Sequence, residues 1–144
     1  MYKLIGIGLL LLQLAACRKN NDSALVETAV QKKIEFHIHA SQPYADAYYI
    51  TVTADVQLEI YKINYLNGQN QLLWDTTYAS RAVANYPHLP QKFLVEKSFP
   101  VLESSEKLQA KYNIRYQSPG GTNRQMAAEE LIPGVKFVFL DVVI

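Results

Sequence analysis

Apolar and polar residues alternate along most of this chain, and this alternation constrains the fold more than any other feature. The pattern is clearest from Ile34 to Ala40 and from Leu108 to Tyr116. Successive side chains of a β-strand point to opposite faces. Each stretch therefore predicts a strand with one buried face and one face in water.

The same pattern predicts further strands along the chain. They are expected at Tyr48 to Asp55, Val56 to Tyr65, Gln71 to Tyr78, Lys92 to Val101 and Val135 to Ile144. The phase of the alternation changes near Ile60 and Tyr61, which predicts a β-bulge. Asn67-Gly68 favours a type I′ turn, because both residue types tolerate the positive φ of that turn.

Three segments interrupt the strand pattern. Ala79 to Gln91 contains two prolines and is predicted to be a loop. Ser118 to Asn123 is rich in turn residues, whereas Arg124 to Leu131 combines helix-favouring residues with strand-like neighbours and leaves both structures open. Val135 to Ile144 is apolar on both faces, which is typical of a strand in the middle of a packed sandwich.

About seven strands in a chain of this size predict one all-β domain, an antiparallel β-sandwich spanning residues 32–144. Leu108 to Tyr116 resembles the penultimate strand of immunoglobulin-like and fibronectin-like sandwiches. That resemblance implies that the Tyr112 hydroxyl bonds back to the preceding corner. The cysteine and tryptophan signature of true immunoglobulin domains is absent.

A second informative feature lies at the start of the chain. A basic residue, Lys3, precedes an apolar run, and the run ends in Leu14-Ala15-Ala16-Cys17. Leu4 to Ala16 is 13 residues long, and a membrane-spanning helix needs about 20 apolar residues. The segment is thus too short to span a bilayer and is read as a secretory signal.

Leu14 to Cys17 resembles the lipobox of bacterial lipoproteins. The resemblance implies that residues 1–16 are removed and that Cys17 becomes an acylated N-terminus. Several acyl chains on one residue give a durable membrane anchor. Because Arg18 rather than Asp follows Cys17, the resemblance implies the outer membrane, with the leaflet left open. Residues 17–31 are then the lipidated N-terminus and a tether.

Composition restricts the possible partners. Without residues 1–16 the chain has 128 residues, in which 13 basic side chains balance 13 acidic ones. Nucleic-acid binding depends on surplus Lys and Arg along one face, so no such partner is expected. Cys17 is the only cysteine, which excludes an internal disulfide and requires the apolar core to provide the stability.

Glu35, His37 and His39 are a candidate metal-binding set. Residues two apart on a regular strand project to the same side, and zinc takes nitrogen and oxygen ligands. The alternative is that they form the polar face of a one-sided strand. The alternative is favoured because the remaining histidine, His88, lies in a distant predicted loop. No metal or other cofactor is therefore expected.

Tyrosines are a candidate binding set, since aromatic rings stack on sugars and anchor protein partners. Tyr49, Tyr61, Tyr65 and Tyr86 are the tyrosines expected to stay partly exposed, whereas Trp74 is assigned to the core. The alternative is that these tyrosines fill the edges of the sandwich core.

No nucleophile elbow, phosphate-binding loop or carboxylate pair is found in the sequence. The sequence therefore predicts a non-enzymatic, lipid-anchored envelope protein whose sandwich binds a partner or joins an assembly. The alternatives are an accessory carbohydrate-binding lipoprotein and a metal-dependent enzyme that uses Glu35, His37 and His39.

Overall fold

The computed structural model describes residues 27–144. The predicted signal, Cys17 and most of the predicted tether lie outside these residues. The regular elements are β1 (Val30–His39), α1 (Ala47–Thr51), β2 (Thr53–Asn64), β3 (Gln69–Ala82), β4 (Phe93–Val101), β5 (Glu106–Ser118), β6 (Gly121–Leu131) and β7 (Phe137–Val143), with a 3₁₀ turn at Val83–Asn85. The first strand begins two residues before the predicted domain boundary.

The strands form two sheets that pack face to face, which confirms the predicted all-β sandwich. The three-stranded sheet has the order β4-β1-β7, and the four-stranded sheet has the order β3-β2-β5-β6. Neighbouring strands are antiparallel except β1 and β7, which are parallel. The neighbour order β2-β5-β6 matches the C-F-G order of immunoglobulin sandwiches. Tyr112 is buried, but within residues 27–144 its hydroxyl forms no bond to the preceding corner.

The core consists of the inward-facing residues of both sheets, as the alternation predicts. It includes Ile34, Phe36 and Ile38 of β1, Ala54, Val56, Leu58 and Ile60 of β2, and Leu108, Ala110, Tyr112 and Ile114 of β5. The predicted bulge is confirmed, because the pairing of β2 with β3 shifts register between Ile60 and Tyr61. Pro100 lies in β4, an edge strand, where a missing N–H is tolerated.

The prediction of a strand beginning at Tyr48 is wrong. Ala47–Thr51 forms α1, and the exposed side chains include Tyr48 and Ile50. The segment from Ala40 to Val52 connects β1 of one sheet to β2 of the other. It crosses the gap of about 10 Å between packed sheets and has no neighbouring strand to pair with.

The β2–β3 connection has four residues, Tyr65 to Gly68, instead of the predicted two-residue type I′ turn. Gly68 has a φ of 71°, but Asn67 has a negative φ. The Asn64 side-chain carbonyl accepts the N–H groups of Leu66 and Asn67 at 3.0 and 3.3 Å. The Gly68 N–H then bonds to the Asn64 carbonyl. These bonds favour the longer turn.

The predicted loop at Ala79 to Gln91 is too long. The strand β3 continues to Ala82, because Arg81 and Ala82 pair with the first residues of β2. The two prolines follow later, in the irregular segment before β4. Pairing across the sheet therefore extends the strand beyond its alternating sequence pattern.

Arg124 to Leu131, which the sequence left open, is strand. It belongs to β6, which pairs with β5 over 11 residues. All of β6 except Leu131 is exposed, because the facing sheet has one strand fewer and does not cover it. Pairing with β5 therefore outweighs the local helix propensity.

The prediction that Val135 to Ile144 is a central strand is wrong. It contains β7, an edge strand beside β1. Its inward side chains join the core, while Phe137 and Phe139 lie on the outer face and remain exposed. The Phe139 ring stacks on His37 with a centroid distance of 5.1 Å. The apolar residues on the outer face of β7 thus pack against other rings on that face, and they are not covered by a further layer of the described residues.

Lys32 is a buried cation at an inward-facing position of β1. Its side chain is fully buried. Its ammonium group donates to the carbonyls of Ile132 and Val135 at 2.7 and 2.9 Å and contacts the Glu103 carboxylate at 2.7 Å. Glu103 also accepts the Gly134 N–H at 2.9 Å. A buried ammonium is tolerated only with such partners.

These bonds lie at one end of the sandwich, named here the proximal end, where β1 begins. It contains the β2–β3, β4–β5 and β6–β7 turns. The opposite end, named the distal end, contains α1, the 3₁₀ turn and the β5–β6 turn.

Replacing Lys32 by methionine is expected to lower the free energy of unfolding by about 3 kcal/mol, because Glu103 and two carbonyls lose their donor. The control is Lys33→Met, at the adjacent and partly exposed lysine, where the expected loss is much smaller because its ion pairs are screened by solvent. Urea unfolding of both variants measures the difference. Equal losses in the two variants would contradict the assigned role of Lys32.

Acid is expected to weaken the same contact. The hydrogen bond from Lys32, and then that from the Gly134 amide, hold the pKa of Glu103 below its ordinary value of 4.5. A lowered folded-state pKa stabilises the protein above the unfolded pKa, and this stabilisation is lost as the pH falls through the folded value. Urea unfolding below about pH 4.5 should therefore show a shallower pH dependence in Glu103→Gln than in the wild type. Identical slopes would refute this assignment.

Candidate functional site

A groove runs along the outer face of the four-stranded sheet. It consists of two adjoining cavities of about 390 and 260 Å³, which share Gln57 and Asn113. Because β5 lies between β2 and β6, side chains from these three strands form most of the lining. We refer to this feature as the sheet groove.

The alternation and register of the strands determine which residues line the sheet groove. Outward-facing residues of β2, β5 and β6 form three rows across the sheet. The rows are Asp55-Arg115-Arg124, Gln57-Asn113-Met126 and Glu59-Lys111-Ala128. The β6 member of the last row is a small alanine, which leaves space beside the longer side chains of β2 and β5.

Ion pairs and hydrogen bonds fix several side chains of the sheet groove. The Arg115 guanidinium lies 3.2 Å from the Asp55 carboxylate, and the Gln57 amide donates to Glu59 at 2.8 Å. Arg124 has no carboxylate partner within residues 27–144. The lining therefore presents both charged and uncharged polar groups to a ligand.

Tyr61 lies beside the same rows. Its hydroxyl donates to Glu59 at 3.0 Å, and the Lys111 ammonium lies 4.7 Å from its ring centroid. The hydrogen bond to Glu59 raises the pKa of Tyr61 above its ordinary value of 10.0. The hydroxyl thus stays protonated as a donor, and the ring is held in place next to the sheet groove.

Asn113 carries an unsatisfied acceptor at the point where the two cavities meet. Its Oδ1 atom is screened from solvent and accepts no hydrogen bond from the described residues. Buried polar atoms without partners are rare and costly in folded proteins. A ligand that places an N–H or O–H donor in the sheet groove would satisfy this atom only after the Asn113 amide turns toward the groove, because the atom is screened from solvent in its present position.

The four candidate tyrosines do not form one surface. Tyr61 flanks the sheet groove, Tyr65 lies in the proximal β2–β3 turn, and Tyr49 packs against Tyr44 near the distal end with a centroid distance of 4.6 Å. The expectation that Tyr86 is partly exposed is wrong, because only 6% of it is accessible.

Tyr86 is buried at the distal end for a local reason. Its hydroxyl donates to the Ala54 carbonyl at 3.0 Å, and the Arg81 guanidinium lies 5.3 Å from its ring centroid. Burial raises the pKa of Tyr86. Trp74 is half-buried against the core, with its ring centroid 6.4 Å from that of Phe36.

Glu35, His37 and His39 share the outer face of the three-stranded sheet, as their spacing predicts. Glu35 and His37 are engaged with other side chains, whereas His39 is buried and its Nδ1 atom bonds to the Ala40 carbonyl at 3.1 Å. His37 Nε2 bonds to Glu35 at 2.9 Å, and the Lys92 ammonium donates to His37 Nδ1 at 3.0 Å. The bonds from His37 and then Lys33 lower the pKa of Glu35.

Within residues 27–144, no three or more His, Cys, Asp and Glu side chains are arranged to hold a metal ion. Glu35 and His37 instead belong to a network of ion pairs and hydrogen bonds on the sheet face, together with Lys33 and Lys92.

Comparison with known proteins identified no relative of this chain. No family model, curated protein or solved structure matches this chain. No helix within residues 27–144 has the length and apolarity needed to cross a membrane.

Sequence reasoning missed both Asn113 and Lys32. Asn113 is visible only as one polar residue in an alternating strand, and its position between Gln57 and Met126 follows from strand order and register. Lys32 did leave a signal in the sequence, because it occupies one of the alternating inward-facing positions of β1, which continue at Ile34 and Phe36.

Proposed function

We propose that this protein is a lipid-anchored protein of the cell envelope, assigned to the outer membrane, and that its sandwich is a non-catalytic binding or assembly module. The lipobox resemblance of Leu14 to Cys17 supports the anchor. The sheet groove supports the binding role, and the observation that carries it is the unsatisfied Oδ1 atom of Asn113.

The proposed partner is an envelope protein that inserts a polar segment into the sheet groove. Backbone N–H groups or hydroxyls of that segment would donate to Asn113 Oδ1 once the amide has turned toward the groove. The charged rows that contain Arg124 and Lys111 would set the orientation, since paired charges across an interface provide specificity more than affinity.

A carbohydrate ligand is the second candidate. The observation that favours it is Tyr61, whose ring lies beside the sheet groove with its hydroxyl fixed by Glu59. Sugar hydroxyls can donate to an amide oxygen, and sugar rings stack on tyrosine. A glycan-array signal that is lost in Tyr61→Ala would favour this candidate over a protein partner.

Filling the sheet groove is expected to abolish partner capture. Ala128→Arg places a long cation in the groove, and position 128 is exposed on an edge strand, so the fold should be retained. We expect pull-down from native membranes to recover about tenfold less of a stoichiometric partner. The control is Gln125→Arg, which adds the same charge on the other face of β6.

Three outcomes would count against this binding site. They are equal capture by the Ala128→Arg variant and the wild type, equal loss in both arginine variants, and wild-type protein without any stoichiometric protein or glycan partner.

The lipid anchor is tested separately. We expect mass spectrometry of the native protein to show an N-terminal, acylated Cys17, and the protein to fractionate with outer membranes. Cys17→Ser is expected to release it into the soluble fraction. An unmodified thiol, or an intact leader in the native protein, would contradict the proposed anchor.

A further inference from the structure

The proximal end carries four exposed aliphatic side chains on its turns. Leu66 lies in the β2–β3 turn, Leu102 in the β4–β5 turn, and Ile132 and Val135 in the β6–β7 turn. Leu66 and Ile132 are 75% and 51% exposed. Exposed apolar groups gathered together mark an interaction surface more often than isolated ones do. The distal end also exposes Ile50 and Leu89, so the choice between the two ends rests on the length of chain that leads to the anchor.

Hydrogen bonds hold these turns together. The Tyr65 N–H donates to the Ser105 carbonyl at 3.0 Å, which joins the β2–β3 turn to the β4–β5 turn. Lys32 and Glu103 join the β4–β5 turn to the β6–β7 turn through Val135 and Gly134. The four aliphatic side chains are therefore presented by one connected surface.

The charges at the proximal end nearly balance, and most of its carboxylates are engaged. Glu103 pairs with Lys32, and three other carboxylates there are also engaged, whereas the exposed Glu129 has no ion pair or hydrogen bond within residues 27–144. These contacts are Glu27 with Ser104, Glu106 with Lys62 and Glu130 with Lys107. Lys136, next to Val135, is exposed. Anionic headgroups attract such cations, and engaged carboxylates repel the headgroups less than free ones would.

The chain length between the predicted anchor and the domain restricts the orientation. Cys17 lies ten residues before Glu27, which contacts Ser104 at the proximal end. Ten residues span at most about 36 Å. The strand β5 has 13 residues and is about 40 Å long. With the distal end on the membrane, the proximal end would therefore lie beyond the reach of the anchor.

We propose that the proximal end docks on the lipid surface, with Leu66, Leu102, Ile132 and Val135 entering the interfacial region. This inference rests on the proposed acylation of Cys17. Burial of these aliphatic groups removes apolar surface from water and so strengthens the anchor. It also fixes the orientation, so that the sheet groove stands upright from the membrane.

The test uses the acylated protein, purified from a bacterial host that processes the signal, in vesicles of phosphatidylethanolamine and phosphatidylglycerol. Acylation occupies the only native cysteine, so a single introduced cysteine can carry an environment-sensitive fluorophore. The proximal sites are Leu66→Cys and Ile132→Cys. The matched distal sites are Leu89→Cys and Ile50→Cys, where the native side chains are 62% and 64% exposed.

The proximal probes are expected to shift their emission to the blue and to be quenched by brominated lipids, whereas the distal probes keep the emission seen in water. Equal quenching at all four sites, or none at the proximal sites, would overturn the docking. Proximal shielding without lipid quenching would also overturn it, since it indicates a protein partner or a second copy. Mass spectrometry and vesicle flotation of the same samples identify a failure of acylation, which refutes the proposed anchor instead.

Discussion

A lysine ammonium group buried inside the sandwich determines the arrangement of the turns at one end of this protein. Lys32 occupies the inward face of β1, where its neighbours Ile34 and Phe36 form the core. Its charge can remain there only with close acceptors. These acceptors come from the β4–β5 and β6–β7 turns, through Glu103 and two carbonyls. The requirement to satisfy one cation thus organises the turns of the proximal end.

The difference in strand number between the two sheets has the second large consequence. Three strands cover four, so β6 pairs with β5 but is exposed on both faces. On its outer side the small Ala128 leaves room beside Lys111, and the sheet groove forms there. The sheet groove and the proximal end are separate surfaces, one along a sheet and one across the turns. A domain anchored at the proximal end would therefore keep the groove free for a partner.

The sequence was sufficient to predict much of the fold because alternation reports directly which residues are buried. It identified β1, β5, the bulge near Ile60 and the positive φ at Gly68. The prediction was wrong at Tyr48, where the chain crosses from one sheet to the other. It was also wrong at Phe137, where apolar rings lie on an exposed face of the sheet. Both errors have one cause, because alternation or apolarity indicates a possible face but not whether another layer covers it.

The candidate site was less predictable than the fold. Tyr61 was found because tyrosine has a recognisable role in binding, but Tyr86 was misplaced because its burial depends on an acceptor at Ala54, 32 residues away in sequence. Asn113 gained its importance from its neighbours in register, Gln57 and Met126. Strand order is set by packing between residues that lie far apart in the sequence, and the alternation pattern of a single sequence does not predict it.

Amide hydrogen exchange at Gly134 tests most directly whether Lys32 organises the proximal end. The Gly134 N–H bonds to Glu103, which Lys32 holds in place. The account predicts slow exchange at Gly134 in the wild type and much faster exchange in Lys32→Met, with no change at the distal Ile144 N–H, which bonds to the His39 carbonyl. Equal exchange at Gly134 in the two proteins would contradict it.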